Sequence, residues 1–299
     1  MSLPGTSMPK VTVITPTYNS AATIEVCLKS VAQQSYLNKE HLIIDGQSKD
    51  ETLAIVKQYQ ALYPHIRYVS EQDKGIWDAM NKGIDLSAGE WLYFMGGDDA
   101  LYDDHVLTTV FTKNDTSAYD IIYGNIQHLN TGTQFDNEFT VKLLARFNIA
   151  HQAIFYRKKL FDKIGKYSLV YHSCSDYAVN IKWFGDETVR RSYIKDIICV
   201  YNEAGMSSVF FDRPFYRDKP ALVLKFLKFE KPEDFTDAAR HTIYTQLKND
   251  DVTGALSNLR LLFKHAGPSF DKWLFIKEFV TLIFNKNDTL AGQKFKKKI

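Results

Sequence analysis

The stretch GEWLYFMGGDDALYDD, residues 89–104, joins an apolar run to two glycines and two adjacent acids. Residues 91–95 predict a buried β-strand, and Gly96–Gly97 would let the backbone turn sharply after it. Asp98 and Asp99 repel each other and resist removal from water. A divalent cation would offset that repulsion, because carboxylate oxygens suit Mg²⁺ or Mn²⁺. An exposed acidic turn is the alternative that this stretch alone leaves open.

The chain before this stretch alternates between short β-rich runs and amphipathic helical patterns. Apolar residues at 24, 27, 28 and 31 share one helical face, and Ser48 with Glu51 has the spacing of a capping box. The alternation predicts a mainly parallel α/β sheet flanked by helices. The four predicted strands are residues 11–15, 41–45, 66–70 and 91–95.

Polar residues follow the end of each of these four strands. Ligands of parallel α/β sheets bind outside the carboxyl ends of the strands, so this pattern favours a binding site over ordinary loop residues. The residues concerned are Thr17, Tyr18 and Asn19, then Asp45, then Asp73 and Lys74, then Asp98 and Asp99.

The rhythm changes after about residue 120. Shorter strand patterns follow, a helix is predicted to begin at Ser175–Asp176, and the last eighty residues read as helical. Trp77 is predicted to be a core residue rather than a platform for a sugar ring.

Composition excludes several classes of protein. The 37 basic and 35 acidic residues give a net charge of +2, which is too balanced to predict a nucleic-acid partner. Three widely spaced cysteines suit a reducing cytosol and argue against a zinc ribbon or a disulfide scaffold. The first residues lack the apolar run of a secretory signal, so a cytoplasmic location is expected.

Common catalytic signatures are absent from the sequence. It contains neither G-x-x-x-x-G-K-[ST] nor G-x-G-x-x-G, which removes the main support for P-loop and dinucleotide-binding readings. It also lacks G-x-S-x-G and H-E-x-x-H. The remaining candidate chemistry rests on carboxylates and other oxygen donors.

Six segments in order carry a resemblance to a known family: VTVITPTYNS, LIIDGQSKDET, EQDKGIWDAMNKGID, GEWLYFMGGDDAL, HQAIFYRK and SCSDYAV. Over roughly residues 10–205 the chain resembles family 2 glycosyltransferases of bacterial surface-polysaccharide pathways. The resemblance implies a GT-A fold over residues 10–212, with a nucleotide-sugar-binding half (10–115) and an acceptor half (116–212). A helical C-terminal extension, residues 213–299, would follow.

The resemblance also implies the roles of individual residues. Asp98 would face the ribose and make a second metal contact, and Asp99 would bind Mn²⁺ or Mg²⁺ on the diphosphate. Asp176 would be the catalytic base, and His151 would line the acceptor side. The residues that would contact the nucleotide are Pro16, Thr17, Tyr18, Asp45, Asp73 and Lys74. Gly96 departs from the family pattern, because many relatives carry an acid at this position.

The function so implied is inverting transfer of a sugar from a nucleotide-sugar donor, with UDP-sugar favoured, to a saccharide or lipid-linked saccharide. Two alternatives are weighed. A sugar-nucleotide nucleotidylyltransferase would need a glycine-rich basic loop after the first strand, and TPTYNS (residues 15–20) lacks it. A non-catalytic nucleotide-sugar-binding or assembly protein would not need Asp99 and Asp176 to be intact.

The C-terminal residues 271–299 combine bulky apolar groups with a basic tail. From residue 264 onward the chain carries eight lysines against three acids. Such a segment can lie on an anionic membrane surface, which would place the protein at the inner face of the cytoplasmic membrane. A helix packed on the rest of the protein, with a solvated tail, is the open alternative.

Overall fold

A computed structural model describes residues 9–113, 115–135, 137–202 and 210–284. Its contacts divide the chain into two compact units. One, here called the sheet unit, takes the chain up to residue 139 and residues 148–210. The other, called the helical unit, takes residues 140–147 and the chain from residue 211 onward.

In the described residues, the sheet unit contains strands β1 to β9 and six α-helices. Its strands are β1 Val11–Thr17, β2 Lys39–Asp45, β3 Ile66–Ser70, β4 Trp91–Phe94, β5 Ala100–Leu101, β6 Ile121–His128, β7 Gln134–Phe135, β8 Ile154–Arg157 and β9 Arg191–Tyr201. Numbering the helices along the whole chain, those of this unit are α1 Ile24–Ala32, α2 Thr52–Leu62, α3 Ile76–Leu86, α4 Val106–Lys113, α6 Leu160–Ile164 and α7 Ser175–Gly185.

The strands form one mixed sheet in the order β3-β2-β1-β4-β8-β6-β9-β5, and β7 pairs with β6. The first four strands are parallel to one another, whereas β8 runs antiparallel to both β4 and β6. The predicted mixed, mainly parallel α/β architecture is therefore confirmed. Thr17 pairs with Asp45, and Asp45 with Ser70, so β1, β2 and β3 end at the same edge.

Helix α1 packs on the sheet through the apolar face that its sequence predicts. Ile24, Cys27, Leu28 and Val31 are all fully buried. The prediction of a capping box at the start of α2 is wrong. Ser48 instead donates its backbone N–H and its hydroxyl to the buried carboxylate of Asp45, so it is engaged at the end of β2. The N–H of Thr52 is accepted by Asp50.

A buried histidine in β2 should make the stability of the fold sensitive to acid. His41 is fully buried, with Nε2 3.0 Å from Oγ1 of Thr15. Burial, reinforced by the nearby His65, lowers the pKa of His41 to about 3. Below about pH 6.5 His41 is therefore protonated in the unfolded chain but stays neutral in the folded chain. The free energy of unfolding falls as the pH drops toward 3.

We expect the free energy of unfolding to fall by about 2 kcal/mol between pH 7 and pH 5, because His41 is protonated only in the unfolded chain. Urea unfolding at several pH values measures this loss. His41→Gln should lower stability at pH 7 yet flatten its decline with acid. The exposed His105→Gln is the matched control and should keep the parent's slope. Equal slopes for the parent and His41→Gln would contradict the assignment.

The helical unit is built from five helices in the described part of the chain. They are α5 Val141–Arg146, α8 Arg213–Phe226, α9 Pro232–Lys248, α10 Val252–His265 and α11 Lys272–Phe284. Side chains cap three of them: Thr140 at α5, Asp212 at α8 and Asp251 at α10. Within the described residues, none of the helices is long and apolar enough to cross a membrane.

Candidate active site

Hydrogen bonds join the turns that follow β1 and β2. Asn19 adopts a left-handed backbone (φ 51°), and its N–H donates to Oγ of Ser48 at 2.8 Å. The N–H of Lys49 donates in return to the side-chain oxygen of Asn19 at 2.8 Å. These reciprocal bonds fix the loop that carries Tyr18 at the carboxyl edge of the sheet.

Tyr18 and Asp73 meet over Gly46, the residue after β2. A Cβ at position 46 would lie 2.6 Å from Oδ2 of Asp73 and 3.5 Å from Cδ2 of Tyr18. Glycine is therefore required at this position unless Asp73 moves. Tyr18 is 56% exposed, so its ring is available at this edge. Lys74 is exposed beside Asp73.

Asp45 and Pro16 lie deeper, at the ends of their strands. Asp45 is fully buried, and its carboxylate accepts hydrogen bonds from Ser48 and, at 2.6 Å, from the hydroxyl of Ser70. Pro16 is buried in β1. Asp45 thus holds the edge of the sheet together, and a contact between its carboxylate and a nucleobase stays a prediction.

Asp99 is buried, and both of its carboxylate oxygens accept hydrogen bonds. Oδ2 accepts from Nε2 of Gln152 at 2.9 Å and from the N–H of Gly96 at 3.2 Å, while Oδ1 accepts from the N–H of Asn202 at 2.9 Å. Burial raises the pKa of Asp99. The donors tie this carboxylate to the turn after β4 and to the end of β9.

Asp98 is half-buried, and its carboxylate converges with that of Asp99 on Gly96. A Cβ at position 96 would lie 2.7 Å from Oδ1 of Asp98 and 3.0 Å from Oδ2 of Asp99. Burial, and then the charge of Asp99, raise the pKa of Asp98. A side chain at position 96 would require the carboxylates of Asp98 and Asp99 to shift from this arrangement.

Thr17 brings an unsatisfied hydroxyl to the same turn. Its Oγ1 is buried and has no hydrogen-bond partner in the described part of the protein. A Cβ at Gly97 would lie 3.3 Å from this oxygen. An orphaned buried hydroxyl is costly, so its position beside the acidic pair suits a polar ligand.

Asp176, the second residue of α7, lies next to His151. Asp176 is buried; its Oδ2 accepts from Nδ2 of Asn148 at 2.7 Å and lies 3.5 Å from Nδ1 of His151. His151 is also close enough to lower the pKa values of Asp98 and Asp99, against the larger effect of burial. His151 therefore contacts Asp176 and lies close enough to Asp98 and Asp99 to affect them electrostatically.

Trp77 confirms its prediction as a core residue. It is buried, stacks on Tyr167 with ring centroids 5.2 Å apart, and donates its Nε1–H to the backbone oxygen of His172. Its ring lies 6.4 Å from that of His151. Trp77 thus packs next to the ring of His151.

The carboxylates of Asp98 and Asp99 fit a cation that takes its other oxygen ligands from a bound molecule. Two carboxylates converge over Gly96, and oxygen donors suit Mg²⁺ or Mn²⁺. Across the described ranges, no group of three or more His, Cys, Asp or Glu side chains could hold a metal ion. Oxygens of a bound ligand would have to complete the coordination.

Two residues of this site were not predicted as candidates from the sequence. Gln152 follows His151 directly in HQAIF, and this adjacency was the available signal for it. Asn148 offered none, because an asparagine in a polar stretch is typical of any loop. Both act through the acids they contact, a relation that only the folded chain reveals.

The family model for glycosyl transferase family 2 matches residues 12–176. The chain belongs to this family. It is therefore a glycosyltransferase. The match extends from the second residue of β1 to Asp176, so it spans the strand ends and the acids described above.

Named relatives agree with this assignment. The chain is 36% identical over 216 residues to a "PGL/p-HBAD biosynthesis glycosyltransferase" of Mycobacterium bovis, which covers 71% of this chain and 84% of the relative. It is 28% identical over 170 residues to the "GalNAc(5)-diNAcBac-PP-undecaprenol beta-1,3-glucosyltransferase" of Campylobacter jejuni, covering 52% of this chain and 54% of that protein.

Solved structures support the GT-A fold. The Staphylococcus aureus protein TarS in complex with UDP superposes with a TM-score of 0.57 at 20% identity, over 84% of this chain and 69% of that chain. The mannosyltransferase PcManGT from Pyrobaculum calidifontis, in complex with GDP-Man and Mn²⁺, gives 0.60 at 17% identity, over 96% and 84%. At these identities the likeness establishes the fold alone.

Proposed function

We propose that this glycosyltransferase moves a sugar from a nucleotide-sugar donor, with UDP-sugar favoured, to a saccharide or lipid-linked saccharide and inverts the anomeric configuration. The observation that carries the proposal is that His151 lies 3.5 Å from the carboxylate of Asp176 and is also near enough to Asp98 and Asp99 to lower their pKa values against the larger effect of burial. One pair of acids suits a diphosphate and its cation, and the third acid suits a hydroxyl nucleophile.

The donor nucleotide binds over residues 10–115 in this proposal. Tyr18 and Asp73, which meet over Gly46, border the base and ribose together with Pro16 and Lys74. The orphaned hydroxyl of Thr17 gains a partner from the ligand. The relatives bound to UDP and to GDP-Man show that similar folds take either nucleotide, so the preference for uridine belongs to the proposal.

The diphosphate corner is formed by Asp99 and Asp98, which would hold Mn²⁺ or Mg²⁺. When bound, the cation neutralises negative charge that develops on the departing diphosphate. Gln152 and the N–H of Asn202 keep the carboxylate of Asp99 in place. Gly96 leaves space for both acids at this corner.

Asp176, which lies in the acceptor half (residues 116–212), activates the acceptor in this proposal. As general base, its carboxylate takes the proton of the acceptor hydroxyl while that oxygen attacks the anomeric carbon. No second nucleophile from the protein takes part, so one displacement inverts the configuration. His151 lies beside Asp176 and, in this proposal, lines the place where the acceptor and the donor sugar meet.

A donor screen tests this function. The purified protein is incubated with UDP-, GDP- and dTDP-sugars and candidate acceptors, with and without Mn²⁺, and the release of nucleoside diphosphate is followed. We expect one UDP-sugar to be turned over in the presence of Mn²⁺ and an acceptor. Tight binding of a nucleotide sugar with no release, under any of these conditions, would favour a non-catalytic binding protein.

We also propose that the C-terminal helix contacts the inner face of the cytoplasmic membrane. In α11, Phe275 and Phe279 are buried, whereas Trp273 is 82% exposed and Leu274 and Val280 are exposed as well. Lys272 and Lys277 lie on the same helix. The lysines of residues 285–299, which complete the predicted basic tail, lie outside the described residues. Exposed aromatic and apolar groups next to lysines are typical of helices that bind anionic lipid surfaces.

A double substitution, Trp273→Ser with Leu274→Ser, should reduce the fraction of protein that co-sediments with anionic liposomes. The exposed apolar groups can enter the lipid interface, and serine cannot replace that burial. The matched control is Leu62→Ser, since Leu62 is 71% exposed at the end of α2 in the sheet unit. Unchanged co-sedimentation of the double variant would exclude the membrane role of α11.

A further inference from the structure

Asn180 lies one helical turn after Asp176 on α7 and is fully buried. All four hydrogen-bonding positions of its amide are used. Nδ2 donates to Oδ1 of Asn148 and to the backbone oxygen of Ile149, both at 2.9 Å. Oδ1 accepts from Nε1 of Trp183 at 2.8 Å and from the hydroxyl of Tyr156 at 3.1 Å.

The chemistry of these partners fixes the orientation of the Asn180 amide. An indole N–H can only donate, so the atom of Asn180 that faces Trp183 has to be the oxygen. A backbone carbonyl can only accept, so the atom that faces Ile149 has to be the nitrogen. The two constraints agree, and a flipped amide would break both bonds.

The orientation of Asn180 then determines that of Asn148. Because Nδ2 of Asn180 donates, the atom of Asn148 that it meets has to be Oδ1. The remaining end of the Asn148 amide is the Nδ2 group, and it donates to Oδ2 of Asp176 at 2.7 Å. The buried contacts of Asn180 therefore require the amide N–H of Asn148 to face Oδ2 of Asp176.

The two oxygens of Asp176 are consequently unequal. Oδ2 is held by Asn148 and faces His151. Oδ1 has no hydrogen-bond partner among the residues that the structure describes. A general base needs an oxygen within hydrogen-bond reach of the proton it takes, and Oδ1 is the oxygen of Asp176 that is open for this contact.

We propose that Asn180 and Asn148 form a positioning relay that presents Oδ1 of Asp176 to the acceptor hydroxyl. The inference rests on the proposed function, since it assigns the relay to the base of that reaction. Asn148 holds the carboxylate through Oδ2, and Asn180 prevents the Asn148 amide from turning its oxygen toward Asp176. Neither asparagine touches the reacting atoms.

Three other titratable groups face Asp176. His151 lies on the short 3-10 helix His151–Ala153 before β8, Tyr156 on β8 itself, and Tyr167 on the segment between α6 and α7. Burial raises the pKa values of Tyr156 and Tyr167 well above their usual range, so both remain neutral phenols. Neither phenol therefore adds a charge beside this carboxylate in the ordinary pH range.

Asn148→Ala and Asn148→Asp test the relay, because Asn148 is only half-buried and both variants should fold. We expect Asn148→Ala to lower kcat by about 10–100-fold, the range for loss of one hydrogen bond to a charged group, with the KM for the donor unchanged. Asn148→Asp sets a second carboxylate against Asp176, so the acidic limb of the kcat/KM profile should move to higher pH. A purely structural role would not move that limb.

Asn180→Ala completes a double-mutant cycle. Its loss of kcat should largely vanish when Asn148 is already alanine, because Asn180 acts through Asn148. Asn125→Ala is the matched control: it removes another buried asparagine of the sheet unit, bonded to Lys195 and Tyr193, and should change stability without shifting the pH profile. If Asn180→Ala does not fold, the two Asn148 variants decide the question.

Asp176→Asn in the same assays separates the two proposals. An inactive Asp176→Asn beside Asn148 variants with parental kcat and pH profile would overturn the relay alone. A fully active Asp176→Asn would overturn the proposed function, and the relay with it. Loss of kcat in the Asn148 variants, with the shifted acidic limb in Asn148→Asp, supports both.

Discussion

Asp176→Asn is expected to lower kcat by about 10²–10⁴-fold, the usual contribution of a general base, while nucleotide binding persists. The amide has nearly the shape of the carboxylate and can still accept from Asn148, so the site should keep its form. It cannot take the proton of the acceptor hydroxyl. Steady-state kinetics with the donor found in the screen measures kcat, and calorimetric titration with UDP and Mn²⁺ measures binding.

The exposed Asp162→Asn, on the neighbouring helix α6, is the matched control for this substitution. It removes an equal charge from the same unit and should leave kcat unchanged. Turnover of Asp176→Asn within a few-fold of the parent would exclude Asp176 as the base. Loss of UDP binding together with kcat would point to a damaged site instead of a missing base.

Asp98→Asn is expected to lower kcat by at least about 100-fold, because the diphosphate corner loses half of its carboxylate charge. The Mn²⁺ concentration needed for half-maximal activity should rise as well. The free protein should remain at least as stable as the parent, since the neighbouring charge of Asp99 and burial both disfavour the ionised form of Asp98. Activity titrated with Mn²⁺ and thermal unfolding of the metal-free protein measure the two effects.

Asp99→Asn should differ from Asp98→Asn in its stability. Three N–H donors converge on Asp99, so an amide there would turn its own NH₂ group toward one of them. We expect Asp99→Asn to lose both activity and thermal stability. The exposed Asp104→Asn, from the same segment, should change neither. Parental Mn²⁺ dependence in Asp98→Asn would contradict the assignment of the acidic pair.

The sheet could be predicted because its signals are local. Alternating strand and helix patterns specify β1 to β4, and the apolar face of α1 is buried as its spacing predicts. The polar ends of these strands also predict an edge with a site. The capping box failed for a long-range reason: the buried Asp45 engages Ser48, and nothing in the four-residue motif reveals that partner.

The contacts between distant residues could not be predicted. Gln152 reaches Asp99 across 53 positions of sequence, and Asn148 reaches Asp176 across 28. Gly96 departs from the family pattern in the sequence, and only the fold shows that the carboxylates of Asp98 and Asp99 both lie beside it. Hydrogen-bond partners of this kind depend on tertiary packing, which residue patterns do not encode.

The central claim is that a single displacement transfers the sugar at the site formed by Asp98, Asp99 and Asp176. Proton NMR of the product, which reports the anomeric configuration of the newly formed glycosidic bond, tests it most directly. With an α-linked nucleotide sugar as donor, a β-linked product is predicted, because the acceptor activated by Asp176 attacks the face opposite the leaving diphosphate. An α-linked product would contradict the account, since retention requires a different sequence of bond changes.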